Sequence, residues 1–408
     1  AIAFAAGAYL SAGRIPGPTI EIHQPSRLIG RTARFEASID TPGGVLQDVT
    51  AVIEQGKTST SLFSLTKPDS AEVTQETETR IRISREITRE TYPTLMPGPA
   101  AVSVHATSSV LFGLRELRST ARLEIEARFD PPQLRVLSSF HYVNHGGAEL
   151  IVYRVTPPDA ESGVLVGDRF FPGYLASAAG VPDADETTRV ALFALLYDQE
   201  LNTPMRLFAR DQAGNEAAID FNHRVFPRRF RRSRITIGDR FLEQVLPDII
   251  AHSDEFHTLP LPPEAGLLEQ YLAINGGLRQ LNATRIMTIA RETSNERLWT
   301  EAFLQLGNSQ VESGFADHRT YVYDGREIDQ QVHLGFDLAA TTNVPIRASN
   351  SGQVIWADYL GIYGNCVIVD HGMGLHSLYA HLSSISVQEG DTVSTGGELG
   401  RSGMTGLA

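Results

Sequence analysis

In the run Val332-His333-Leu334-Gly335-Phe336-Asp337 an imidazole and a carboxylate stand four residues apart in an apolar, β-prone stretch. Side chains alternate along a strand, so positions i and i+4 project to one face and can offer a nitrogen and an oxygen to one metal ion. Gly335 between them leaves room for a substrate backbone. A further histidine, His381, lies in Leu378-Tyr379-Ala380-His381-Leu382, on another predicted strand of the same region. Hydrolytic zinc takes three protein ligands and keeps one position for water. His333 and Asp337 could supply two of them. An imidazole, which titrates near neutrality, can accept the proton of the attacking water. An isolated H-x-x-x-D pair is weak evidence, because such pairs occur by chance.

These residues need a rigid frame, and the surrounding pattern supplies one. From Val311 onward the chain reads as short strands separated by glycines: Gln353–Ala357, Cys366–Val369 and Ser377–Ala380, with tight turns at Glu389-Gly390-Asp391 and Gly396-Gly397. A small antiparallel β domain over 309–408 follows. Upstream, residues 235–308 change to helical periodicity: Asp239 suits an N-cap for Phe241, Leu242, Val245, Leu246, Ile249 and Ile250, and 267–272, 278–289 and 295–304 continue in that style. Residues 16–129 alternate in short runs such as Arg80-Ile81-Arg82-Ile83 and predict an antiparallel β-sandwich; 131–226 predict a second. The turn Asp211-Gln212-Ala213-Gly214-Asn215 resembles the last hairpin of bacterial immunoglobulin-like modules, where Gly and Asn suit positive φ. The fold class expected is therefore mainly β and multidomain: two immunoglobulin-like sandwiches, a helical segment and a C-terminal β-rich domain.

Bulk numbers narrow the function. A chain of 408 residues with 42% hydrophobic and 20% charged residues is an ordinary globular protein of several domains. A net charge of −13 argues against general nucleic-acid binding. The single cysteine, Cys366, sits in an apolar run and reads as a small buried hydrophobe. Six arginines fall within Arg224–Arg234, with Phe226 and Phe230 interleaved; they suit an anionic surface such as phospholipid headgroups, or a solvated linker paired with acidic side chains. Residues 1–15 open with a ten-residue apolar stretch, read either as a buried element or as the end of a membrane anchor or signal segment.

Six blocks, in order, are similar to the lysostaphin-like (LytM-type) zinc endopeptidases that cut peptidoglycan peptides: H-L-G-F-D-L-A at 333–339, V-P-I-R-A-S-N-S-G-Q-V-I-W-A at 344–357, G-I-Y-G-N-C-V-I-V-D-H-G-M-G-L at 361–375, L-Y-A-H-L-S at 378–383, V-Q-E-G-D-T-V at 387–393 and G-R-S-G-M-T-G at 400–406. The resemblance covers the last quarter of the chain. It implies a Zn2+ cofactor, His333 and Asp337 as metal ligands, His381 as a catalytic histidine and peptidoglycan peptide stems as substrate. It also implies a location in the bacterial cell envelope, periplasmic and anchored to the inner membrane. The family completes its site with an H-x-H pair just after the last block, and residues 1–408 do not include that pair. The expectation is that the third ligand lies beyond Ala408. The alternative is a non-catalytic scaffold that binds wall or regulates a partner hydrolase. The remaining candidates have structural explanations: His371 as a turn residue, His376 facing away from His381, His318 in an exposed loop, and Tyr321 and Tyr323 as strand packing or cleft lining. His252 and His257, flanking Asp254 and Glu255, read as a solvated helix end.

Overall fold

A computed structural model describes residues 16–408 except 70, 111, 112 and 114. The apolar stretch at 1–15 lies outside the described residues. The chain is mainly β, with several sheets, and divides into two compact units. One comprises the residues up to Leu134 with 155–162 and 208–219; the other comprises 135–154, 163–207 and 220–408.

The first unit contains a four-stranded sheet (in order Thr19–Gln24, Thr32–Asp40, Arg80–Thr88, Glu72–Gln75) and a five-stranded sheet (Leu28–Ile29, Arg115–Ala127, Gly98–Val110, Val45–Gln55, Thr58–Ser64). Alternation dictates which side each residue takes. Ile83 is buried beside Phe35, Ile39, Phe63 and Val104, whereas Arg82 points outward to Glu36 at 2.6 Å and Glu76 at 2.5 Å. At the expected Asp-Gly-Asn turn only Gly214 adopts positive φ, at +81°. Asn215 instead donates from its backbone N and its side-chain amide to the Asp211 carboxylate, at 2.8 and 2.9 Å.

In the second unit, strand Gly147–Thr156 pairs antiparallel with Thr188–Leu195 over buried Ile151, Tyr153, Phe193 and Leu195. Helix Asp239–His252 buries Leu242, Val245, Leu246 and Ile249 against Tyr271, Ile274, Leu278 and Tyr321. Two expectations for the helical segment need correction. Asp239 is the first helical residue rather than the cap, because its carboxylate accepts from the Tyr323 hydroxyl at 2.5 Å and Gly238 takes the cap position. Residues 295–304 are not helical. Their backbone groups are taken up by loops of the β domain: Leu298 N donates to His371 O (2.8 Å), Leu304 N to Ser349 O (2.9 Å) and Asn350 Nδ2 to Glu301 O (2.8 Å).

Three sheets frame the C-terminal region. Arg232–Ile237 runs parallel to Asp317–Tyr323, which pairs antiparallel with Arg326–His333. Gln310–Ser313 pairs with Asp337–Ala339. The six-stranded sheet has the order Pro345–Arg347, Glu398–Ser402, His376–Ile385, Asn365–Asp370, Gly352–Tyr359, Thr392–Val393. Its core is Ala348, Val354, Val367, Val369, Leu382, Val393 and Leu399. Cys366 is fully buried, as its apolar run predicts.

Candidate active site

His333 is the last residue of its strand, opposite Asp317; Asp337 is the first of the next, opposite Ser313. The regular strand expected to carry both is absent. Pairing stops over Leu334, Gly335 and Phe336, because the flanking residues are claimed by two different sheets. The side chains converge nonetheless, with His333 Nε2 3.1 Å from Asp337 Oδ1. On its other side the ring's Nδ1 faces Gly314 O at 3.4 Å, which leaves Nε2 as the atom directed into the site. A Cβ at Gly335 would stand 3.5 Å from that Nε2, so the glycine keeps the ground beside it open.

Asp337 has a second partner that the sequence reading passed over. Its Oδ2 accepts from Arg319 Nη2. Arg319 Nε lies 3.8 Å from the buried Asp317 carboxylate, and Asp317 Oδ2 accepts from Ser313 Oγ at 3.1 Å and Ser233 Oγ at 2.5 Å. Burial works against the Asp337 charge, but the hydrogen bonds and charges of His333 and Arg319 outweigh it and hold its pKa at about 2. The signal for this support was present in Asp317-His318-Arg319, whose first and third residues share a strand face beside the ligand strand.

His381 sits where strand His376–Ile385 slips register against Asn365–Asp370, between the pairs Val367–Tyr379 and Asn365–Leu382. Its φ is +59°, a conformation that histidine enters more readily than β-branched residues. Its Nδ1 lies 2.8 Å from Thr405 O. A carbonyl can only accept, so Nδ1 carries the proton and Nε2 is left as a base. Burial lowers the affinity of this ring for a second proton; the Thr405 carbonyl and Asp337 oppose that effect and the His333 ring adds to it. His381 therefore shares its electrostatic surroundings with the His333–Asp337 pair.

Four other histidines make contacts elsewhere in the fold. His371 is fully buried between Ser351 O (2.8 Å) and Ser377 Oγ (2.7 Å). His376 Nε2 lies 3.3 Å from Asp370, a residue that also accepts from Thr293 Oγ1 and Ser294 N. His318 is half-buried beside Phe230 and Tyr197 rather than in an exposed loop. Tyr321 packs in the core against Tyr271. His252 stacks on Tyr359.

For a hydrolytic metal the donor set fits in part. One imidazole nitrogen and one carboxylate oxygen meet at a distance that an ion could bridge, both held from behind by hydrogen bonds. Among the described residues no group of three or more His, Cys, Asp or Glu side chains is placed to hold an ion.

Residues 331–408 match the model of Peptidase family M23. DD-carboxypeptidase/endopeptidase Mpg of Neisseria meningitidis is 43% identical over 77 residues, 19% of this chain and 17% of that protein. Peptidoglycan DD-endopeptidase ShyB of Vibrio cholerae is 23% identical over 217 residues, 52% of this chain and 48% of that protein. Lysostaphin of Staphylococcus staphylolyticus is 35% identical over 85 residues, 20% of this chain and 17% of that protein. The chain thus spans less than half of each of these relatives. The stretch that carries His333, Asp337 and His381 is a Peptidase family M23 domain of the LytM type, set in a mainly β, multidomain chain.

Proposed function

We propose that this protein is a zinc-dependent endopeptidase that hydrolyses peptide cross-links of peptidoglycan in the bacterial cell envelope. The observation that carries the reading is the meeting of His333 Nε2 and Asp337 Oδ1 at 3.1 Å. His333 and Asp337 would hold the ion. Zinc in such a site polarises a scissile carbonyl and makes water a nucleophile near neutral pH. His381, whose Nδ1–H points to Thr405 O and whose burial disfavours a second proton, would offer Nε2 as the base for the proton of that water. Arg319 fixes the Asp337 carboxylate so that one oxygen faces His333.

The test is digestion of purified sacculi by the purified protein, with muropeptides separated by chromatography and identified by mass. The parent should release cross-linked peptides as monomers, and His333→Ala and His381→Ala should not. Equal zinc content in the parent and His333→Ala would remove the ligand assignment. A second reading is a scaffold that binds wall without cutting it. Sacculus binding without any release of muropeptides would select it.

A further inference from the structure

We propose that the face formed by Phe140, Tyr142, Phe226 and the arginines of residues 224–232 docks on an anionic phospholipid surface. This inference uses none of the chemistry of the His333 site. Strands His141–Asn144 and His223–Phe226 pair in parallel, Tyr142 opposite Arg224 and Asn144 opposite Phe226. Alternation divides the ribbon into two faces. His141 and Val143 are buried, whereas Tyr142 and Phe226 point outward and are 49% and 36% exposed. Phe140, just before the ribbon, is 76% exposed. Ring centroids lie 6.3 Å apart for Phe140–Tyr142 and 5.9 Å for Tyr142–Phe226, so the three rings form one continuous patch. The Arg224 guanidinium covers the Phe226 ring at 5.0 Å. The backbone of Phe140 is at φ +62°, a costly conformation for a bulky side chain.

Four of the six arginines within Arg224–Arg234 have no acidic partner among the described residues. Arg234 pairs with Glu327, and Arg231 donates to the Glu312 carbonyl. Arg224, Arg228, Arg229 and Arg232 are exposed and have no carboxylate within ion-pair distance among the described residues. Glu149, whose carboxylate lies beside the ribbon, accepts from the backbone amides of Tyr142 and Leu150. A local excess of cations on a protein of net charge −13 selects an anionic partner. Guanidinia bind phosphate oxygens in pairs. Aromatic rings settle at the level of lipid headgroups, which places both halves of the patch in the environment each prefers. Each arginine near an anionic bilayer strengthens association by about fivefold.

The full chain would be sedimented with phosphatidylcholine vesicles with and without phosphatidylglycerol, at low and high salt. It should pellet only with the anionic vesicles and return to the supernatant as salt screens the arginines. Arg228→Glu/Arg229→Glu should lower the partition at least about tenfold. Phe140→Ser/Tyr142→Ser should lower it several-fold, with circular dichroism and thermal unfolding unchanged because both side chains are exposed. Failure to pellet with anionic vesicles, or equal partition of parent and variants, would overturn the proposal. So would retention on purified sacculi that falls with the same variants while vesicles remain unbound, which would assign the face to the wall.

Discussion

Asp337→Asn in metal-free protein isolates what His333 and Arg319 do for the carboxylate. Asp337 titrates at about 2 in the folded protein, against an ordinary 3.8. At about 1.4 kcal/mol per pH unit that gap corresponds to roughly 2.5 kcal/mol. The side chain is 42% exposed, so solvent screening reduces the usable figure to about 1 kcal/mol. The sign follows from linkage. A carboxylate whose folded pKa is depressed stabilises the fold above its unfolded pKa and loses that contribution as pH falls through the folded value. At pH 7, with chelator present, the variant should unfold about 2–4 °C below the parent for a unit of this size. Fluorescence-monitored melting in steps from pH 7 downward should show the difference shrinking below about pH 4 and closing near pH 2. Arg319→Gln should reproduce most of the loss, and the double variant should fall short of the sum of the two singles. Asp337→Asn with parental stability at pH 7, or a difference unchanged at the acid end, would refute the account of Asp337 as a charge held by its two partners.

Other expectations follow from single contacts. Gly335→Val places methyl groups against His333 Nε2 and should lower zinc retention on the order of tenfold without changing thermal stability, measured by metal analysis after dialysis. Asp370→Asn exchanges an acceptor for a donor opposite Ser294 N and should cost about 2 kcal/mol, seen in denaturant melts and as faster proteolysis within residues 291–309. Burial pushes the Cys366 thiol far above its usual range, so a thiol reagent at pH 8 should label it only after the protein is unfolded.

The mainly β fold and the convergence of His333 with Asp337 were legible in the sequence. His333, Asp337 and His381 are of types that bind metals or carry protons, and their identity survives any error in the backbone around them. The route between the first two was not legible: strand periodicity carries through Gly335, whereas the structure breaks there because Asp317 and Ser313, which claim the two flanks, precede the pair in sequence and declare no partner. Arg319 lies eighteen residues from its carboxylate partner, and only the strand face it shares with Asp317 pointed to it. Leu298, Trp299 and Leu304 offer an apolar spacing that suits a helix, yet Ser349, Asn350 and His371, remote in sequence, capture the backbone of that segment. Where burial is set by alternation within one strand, as at Arg80–Ile83, reading and structure agree.

Because His333 closes one β-sheet and Asp337 opens another, an ion gripped by both would act as a rivet between two plates that share no backbone pairing at that seam. Loading with metal should therefore slow amide exchange along Gln310–Ser313 and Arg326–His333 together, and chelation should release both edges at once.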